Sequence, residues 1–295
     1  MTPPSLLTLL VPVAVLIAAM VSIQTGAAIA KHLLTELGAA GTATLRLCIA
    51  SFILIILCRP WNMRFTRSSL PPLVLYGLSM GFMNVLIYMA LLHIPLGIAV
   101  ALEFMGPLAV AIWASRRPVD FIWIALACTG VLMLLPAFDS AAALPLPGIL
   151  YALGAGVCWA LYIIFGQKAG ALAPSGMVTT IGMTIAALVV TPIGIADAGY
   201  ALLNKGFWPM AVSIACLSSA LPYCLEMMAL KRLPARTFGV LMSMEPAIAA
   251  ISGFIILGER LSTPQWCAVA CIMLASAGSV LGSRKPAATP EMTGA

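Results

Sequence analysis

The segment Met89-Ala-Leu-Leu-His-Ile-Pro95 recurs 139 residues later as Met228-Ala-Leu-Lys-Arg-Leu-Pro234. The same offset pairs Pro107 with Pro246 further along the chain. A match that keeps one offset over both features indicates an internal duplication. The chain is therefore predicted to consist of two similarly folded halves.

Working outward from this match, we predict a first repeat over residues 1–140 and a second repeat over residues 141–283. The remaining residues, 284–295, are polar and rich in Pro and Ala. A segment of that composition has too little apolar surface to bury, so it is predicted to be a disordered tail.

The composition predicts that the surface of both halves faces lipid. Hydrophobic residues make up 62% of the chain, charged residues make up 8%, and the mean hydropathy is +1.10. A soluble domain carries about 25% charged residues, so this chain cannot build a water-facing surface. The lipid bilayer is thus the first predicted partner.

Ten apolar runs, separated by charges and by Pro or Gly, are long enough to cross a bilayer, since a span needs about 20 apolar residues. The predicted spans are 6–30, 40–58, 72–92, 96–114, 120–136, 148–167, 175–196, 207–229, 236–257 and 264–283. The first run exceeds the 7–15 residues of a signal-peptide core and is preceded by no basic residue, so we expect it to be retained as a span.

The distribution of Lys and Arg predicts the orientation. Eleven of them fall on the side of the N-terminus and three on the other side: Arg59, Arg64, Arg67, Arg116, Arg117, Lys168, Lys231, Arg232, Arg236, Arg284 and Lys285 against Lys31, Lys205 and Arg260. Because cytoplasmic loops carry the excess of Lys and Arg, both termini are predicted to be cytoplasmic.

Five spans per half is an odd number, so the halves must cross the membrane in opposite directions. The turn around His93 has no Lys or Arg, whereas its repeat mate contains Lys231, Arg232 and Arg236. The predicted fold is an all-α polytopic membrane protein with ten transmembrane helices as two inverted five-helix repeats. Such repeats are typical of secondary transporters, whose substrate site lies near the bilayer midplane. A duplicated scaffold that transports nothing is the alternative.

Charged residues within the spans are the main candidates for a site. Glu103, Glu226 and Glu245 lie inside apolar runs, and Arg46 is the only embedded base. An ionised side chain at mid-span costs about 2.5–3.5 kcal/mol on insertion scales. These groups must therefore face the bundle interior, pair with each other or be protonated. Each of them could instead serve only as a polar contact between helices.

Matching prolines in the two halves predict helix breaks near the same site. Pro107 cannot donate to the carbonyl of Glu103, and Pro246 cannot donate to that of Met242. Interrupted spans at corresponding positions point to a transporter's binding site. We interpret Pro107 and Pro246 as hinges, with a simple packing kink as the alternative.

Other polar and aromatic residues lie on the predicted inner faces of four spans. Asn84 and Tyr88 are four residues apart on span 3, and Tyr223 in span 8 is the repeat mate of Asn84. Span 1 contributes Gln24, and span 6 contributes Trp159, which lies too far from the span end for an interface anchor. The predicted substrate-binding residues are Gln24, Arg46, Asn84, Tyr88, Glu103, Trp159, Tyr223, Glu226 and Glu245.

Several other functions are excluded or disfavoured. The net charge of +6 comes from basic residues between apolar runs, with no basic and aromatic patch for nucleic acid. The two histidines, His32 and His93, fall at span ends, and no HExxH, CxxC or GK[ST] motif occurs, so we expect no metal and no cofactor. An intramembrane enzyme is disfavoured for the same reason.

The sequence also resembles a known family. LEFMGPLAVAI at 102–112 and MEPAIAAISGFIILGERLSTPQW at 244–266 are similar to the EamA-type repeats of the drug/metabolite transporter superfamily. PLGIAVALEFMGPLAVA at 95–111 and SRRPVDF at 115–121 resemble the bacterial threonine/homoserine exporters within it. The resemblance implies a ten-span inner-membrane protein that exports small amino acids.

We therefore predict a proton-linked or facilitative exporter of small amino acids that works by alternating access. In this interpretation the embedded glutamates carry a proton or contact an ammonium group, and Arg46 binds a carboxylate or holds one of those acids. A different small solute, such as a sugar derivative, a nucleoside or a cationic drug, is the alternative substrate.

Overall fold

A computed structural model describes residues 6–58, 70–115, 118–134, 144–170, 175–222, 225, 238 and 241–282. Within these ranges the chain is helical, and no strand occurs. The helices follow from the composition, because a segment in lipid must satisfy its own backbone hydrogen bonds. The predicted tail, Tyr223 and Glu226 lie outside the described residues.

The helical run Leu6–Cys58 is two helices, because Gly38 has φ 68° and ψ 177°. We label them α1 (6–37) and α2 (39–58). Only glycine adopts this backbone conformation readily, and a Cβ at Gly38 would also overlap the carboxylate of Asp197. Helix α1 extends seven residues beyond the predicted span 6–30, since the ammonium group of Lys31 has an ion-pair partner.

The remaining helices follow in chain order. They are α3 (Leu70–Leu91), α4 (Leu96–Glu103), α5 (Met105–Ser115), α6 (Asp120–Met133), α7 (Leu146–Gly170), α8 (Ser175–Ala198), α9 (Trp208–Ala215), α10 (Glu245–Ser252) and α11 (Thr263–Gly282). A 3₁₀ turn over Gly199–Leu203 follows α8, and wider π-turns continue α9 over Cys216–Ala220 and α10 over Gly253–Leu257.

Among the residues that the structure describes, four helical stretches are long and apolar enough to cross a membrane: Val11–Cys58, Leu70–Leu91, Leu146–Gly170 and Gly176–Leu203. Shorter apolar helices cover Leu96–Val110, Phe121–Met133, Trp208–Ser219 and Glu245–Leu257. Large apolar side chains on these helices point outward, Phe52, Leu188 and Ile255 among them. The chain is thus an all-helical protein with the surface of a membrane protein.

Both predicted hinge prolines lie just after an interruption of a helix. Helix α4 ends at Glu103, Phe104 forms a turn, and Pro107 lies in the first turn of α5. In the second half, Pro246 occupies the start of α10 after a turn at Met244. The prolines begin new helical segments here because their missing N–H costs nothing in a first helical turn.

Close helix pairs hold the bundle together. Helix α3 packs on α7, α4 on α10, and α6 on α11. Side chains of α2 bond to α8, as Ser51 does to Thr184, and Ser22 of α1 donates to the Leu217 carbonyl in the continuation of α9. Small residues allow the closest approaches, as at Gly97 against Ala250 and Gly106 against Gly156. Backbone proximity of this kind is the usual source of helix association in lipid, where apolar burial contributes little.

Candidate functional site

A cavity of about 280 Å³ lies at the centre of the bundle, between helices of both halves. Helices α1, α2, α3 and α4 contribute from the first half, and α7, α9 and α10 from the second. The lining side chains are Ile23, Gln24, Ala27, Arg46, Met83, Asn84, Ile87, Tyr88, Leu91, Leu96, Val100, Glu103, Trp159, Tyr162, Ser218, Pro222, Met242 and Glu245. The volume is just below the usual range for ligand sites, about 300–1,000 Å³, and therefore suits a small solute.

Arg46 projects from α2 into this cavity and is held by two neutral oxygens. Its Nη1 donates to the Tyr88 hydroxyl at 3.1 Å, and its Nη2 donates to the Ser218 carbonyl at 3.2 Å. The guanidinium carbon also lies 5.7 Å from the centre of the Tyr88 ring, within cation–π range. Among the described residues, the Arg46 Nε has no hydrogen-bond partner.

The hydrogen bonds of Arg46 can be compared with the two roles that the sequence suggests for this residue. The sequence suggested that it either binds a carboxylate or holds an embedded acid. The Lys31 ammonium pairs with the Glu259 carboxylate, whereas the hydrogen bonds of Arg46 go to the hydroxyl and the carbonyl. A guanidinium presents five donors in a planar fork that matches a carboxylate. The charge is therefore positioned but not neutralised by these contacts.

Gln24 and Glu245 join α1 to α10 on another wall of the cavity. The Gln24 Nε2 donates to the Glu245 Oε1 at 2.9 Å, and the two side chains are only 2% and 5% exposed. Glu245 is the first residue of α10, where a negative side chain is favoured by the helix dipole. The residues are 221 positions apart in sequence, so this contact couples the two halves directly.

Glu103 is the last residue of α4, at the point where the helix is interrupted, and it is 8% exposed. Its carboxyl lies within electrostatic range of Glu245 and Arg46. The side chain lines the cavity, and α7 approaches this point so closely that a Cβ at Gly156 would crowd the Glu103 carbonyl. Two acids and one base therefore share a single buried space.

The other predicted residues complete the wall. The Asn84 Nδ2 donates to the Met80 carbonyl at 2.8 Å, and the Asn84 side chain lines the cavity. The Trp159 ring meets the Phe104 ring edge to face, with centroids 5.1 Å apart. That contact fixes the indole at the junction of α4 and α5. An aromatic wall beside charged groups is typical of sites for small polar solutes.

The structure brings seven of the nine predicted binding residues to one cavity: Gln24, Arg46, Asn84, Tyr88, Glu103, Trp159 and Glu245. Tyr223 and Glu226 lie outside the described residues. Neither Pro107 nor Pro246 lines the cavity; each adjoins a helix that does.

Sequence reasoning did not assign the Ser218 carbonyl, Tyr162, Pro222 or Met242 to this site. Signals for three of them were present: Ser218 is the repeat mate of Ser79 at the offset of 139, Tyr162 follows Trp159 by three residues on span 6, and Pro222 adjoins Tyr223 on span 8. The role of a backbone carbonyl depends on helix geometry, so residue type alone could not have identified it.

Comparisons with known proteins agree with this architecture. A model of the EamA-like transporter family matches residues 146–281. The chain is 51% identical over 281 residues to the threonine/homoserine exporter RhtA of Escherichia coli strain K12, and the match covers 95% of each protein. It is 52% identical over 274 residues to the exporter of the same name from Salmonella typhimurium strain LT2, covering 93% of this chain and 92% of the relative.

A solved crystal structure matches with a TM-score of 0.56 at 17% identity, over 93% of this chain and 99% of that one. At that identity the likeness establishes the fold alone. The match of residues 146–281 to the family model and the relatives that are about half identical over nearly the whole chain lead to one conclusion. The chain belongs to the EamA-like transporter family.

Proposed function

We propose that this protein exports small amino acids of the threonine and homoserine class across the bacterial inner (plasma) membrane. The observation that carries the proposal is the cavity that a guanidinium and two carboxyl groups line together. An amino acid is a zwitterion, and such a site offers a counter-charge to each of its ends. The relatives named as threonine/homoserine exporters support this substrate class.

In the proposed complex the substrate carboxylate binds Arg46 and the substrate ammonium binds Glu103 or Glu245. The Arg46 fork keeps donors available beyond those given to Tyr88 and Ser218. Gln24, Asn84, Tyr88 and Trp159 line the site, with Tyr223 and Glu226 as further contacts from span 8. Pro107 and Pro246 act as hinges when the cavity changes the side to which it opens.

The proposed architecture has ten spans in two inverted repeats, over residues 1–140 and 141–283. The helix pairs support it, because a two-fold axis that exchanges the halves must exchange spans five apart. Such an axis maps the pairs α2 with α8, α4 with α10 and α6 with α11 onto themselves. It also maps α3 with α7 onto α9 with α1, and both of these pairs pack together.

The proposed orientation places both termini in the cytoplasm, supported by the eleven-to-three distribution of Lys and Arg. The orientation can be measured with single cysteines placed at Tyr200 and at Gln167, which are both exposed. A membrane-impermeant thiol reagent added outside intact cells should label the cysteine at 200 and not the one at 167. The reverse pattern would invert the topology.

Growth on toxic amino acids tests the substrate class. Expression in a host without its own exporters should allow growth at threonine or homoserine concentrations that stop the empty-vector strain. The same cells should release preloaded labelled threonine faster, because the cavity supplies a route through the membrane. Protection against neither amino acid would refute this substrate class, and protection only against a sugar derivative, a nucleoside or a cationic drug would support the alternative.

Proton coupling is proposed for the embedded acids and is tested by Glu103→Gln and Glu245→Gln, with Glu226→Gln as the third variant. Gln keeps the size of each side chain but cannot gain or lose a proton. In at least one variant, the exchange of labelled amino acid inside the cell for unlabelled amino acid outside should continue. In the same variant, net export should no longer depend on external pH. If all three variants kept the wild-type pH profile of export, the exporter would be facilitative.

A further inference from the structure

Beyond the cavity, at the end of α1, a cluster of polar contacts ties three separate parts of the chain together. The Lys31 ammonium lies 2.6 Å from the Glu259 carboxylate and donates to the Ile94 carbonyl at 3.2 Å. The other Glu259 oxygen accepts from the Leu96 N–H at 2.8 Å. Helix α1, the turn between α3 and α4, and the loop after α10 therefore meet at one carboxylate.

This cluster lies directly above the cavity. Ala27 lines the cavity and precedes Lys31 by four residues, so the two share a face of α1 one turn apart. Leu96 also lines the cavity and is the residue whose N–H the Glu259 carboxylate accepts. The ion pair is thus about 5 Å, one helical turn, beyond the cavity wall.

The loop is shaped to deliver this carboxylate. Gly258 has φ 68° and ends the helical segment in the left-handed conformation, and the Glu259 N–H donates back to the Gly253 carbonyl. A Cβ at Gly253 would crowd the Glu259 Oε2. The chain therefore turns back over its own helix and points Glu259 at α4 rather than into solvent.

Glu259 also caps the N-terminus of α4, which has no side-chain cap of its own. The residue before α4 is Pro95, which provides no side-chain cap, and the first N–H groups of a helix have no partner within it. A carboxylate at this position satisfies one of them and favourably opposes the helix dipole. Moving α4 away from this cluster would require loss of both the cap and the ion pair. Such a movement would also move Glu103, which lies at the other end of α4.

We propose that the Lys31–Glu259 pair is the gate that closes the cavity on the side opposite the termini, the release side of the exporter. The side chains are 25% and 12% exposed, so the pair borders solvent on one side and the cavity wall on the other. Opening to the release side separates α1 from the loop after α10 and frees the N-terminus of α4. The proposal rests on the transport function, and its test does not depend on the substrate.

The test uses a reporter cysteine at Val100, a buried cavity residue one turn deeper than Leu96, in a chain with its native cysteines replaced. A membrane-impermeant thiol reagent is added to the outside of intact cells, and the labelling rate is compared among gate variants. Glu259→Gln and Lys31→Met should each label at least about tenfold faster than the parent. Arg260→Gln is the matched control, because this exposed neighbour removes one charge from the same loop and should leave the rate unchanged.

A double variant separates a pair from two independent effects. If the residues act on each other, Lys31→Met with Glu259→Gln should label within about twofold of the faster single variant, as coupled sites are not additive. Unchanged labelling of both single variants, in protein that remains monodisperse in detergent, would overturn the gate. So would an equal rise in labelling from the cytoplasmic side of inverted vesicles, which would indicate general loosening. Loss of export with accelerated outside labelling supports the gate, whereas absence of threonine export in the parent would refute only the proposed function.

Discussion

Replacing Arg46 with glutamine is expected to reduce threonine export at least about thirtyfold, which corresponds to about 2 kcal/mol. The reason is that Arg46 is the one cation among the described lining residues, and its hydrogen bonds go to the Tyr88 hydroxyl and the Ser218 carbonyl rather than to a carboxylate. In the proposed complex Arg46 pairs with the substrate carboxylate, and removing one partner of a buried, hydrogen-bonded charge pair costs about 2–5 kcal/mol. Efflux of labelled threonine from preloaded cells measures the loss.

Two further variants make this result specific. Arg46→Lys keeps the charge but not the fork, so export should fall less than in Arg46→Gln. Lys205→Gln removes a charge from an exposed loop position and should leave export unchanged. If Arg46→Gln exported at the parental rate while remaining folded, the substrate carboxylate would have to bind elsewhere.

Replacing Gly106 with alanine is expected to lower the free energy of unfolding by about 3 kcal/mol, the upper part of the usual range for overpacking. A Cβ at Gly106 would overlap the carbonyl oxygen of Gly156, where the junction of α4 and α5 lies on α7. A backbone atom cannot change rotamer, so the two helices must separate. Thermal unfolding in detergent should reveal this as a lower midpoint and a smaller yield of folded protein.

Gly170→Ala is the matched control for that prediction. The substitution is identical, but a Cβ at Gly170 meets nothing within 4 Å. Its midpoint should equal or slightly exceed the parental value, because alanine favours a helix more than glycine does. If the Gly106→Ala and Gly170→Ala variants were equally stable, α5 would have to pack less closely on α7 than it does in the structure.

Much of the helical architecture could be predicted because lipid leaves the chain few alternatives. An apolar run between charges must form a helix, so the bounds of α3 at Leu70–Leu91 follow closely the predicted span 72–92. Helix α1 was predicted to end at Ala30 because Lys31 is charged. The helix itself continues seven residues further, to Leu37. The sequence could not show that the Lys31 ammonium has a partner 228 residues away.

The residues of the cavity were predictable for a related reason. Arg46, Glu103 and Glu245 cannot face lipid at acceptable cost, so their position in apolar runs was enough to direct them inward. Their partners were not predictable. The hydrogen bond of Gln24 to Glu245 spans 221 residues, and the Ser218 carbonyl that accepts from Arg46 has no signature of its own.

The amino-acid sequence by itself thus determined that the chain is a helical protein with the surface of a membrane protein, and which charged side chains turn inward. These properties follow from solvation, which acts on each residue whatever its neighbours are. Only the tertiary structure decided that Arg46 binds a hydroxyl and a carbonyl, and that Lys31 meets Glu259 at the N-terminus of α4. Those contacts depend on how distant helices pack. For Arg46, the cost of solvation requires polar partners but does not specify which ones. For Lys31 and Glu259, water near the ends of spans can solvate a charge, so no strong penalty dictates the partner.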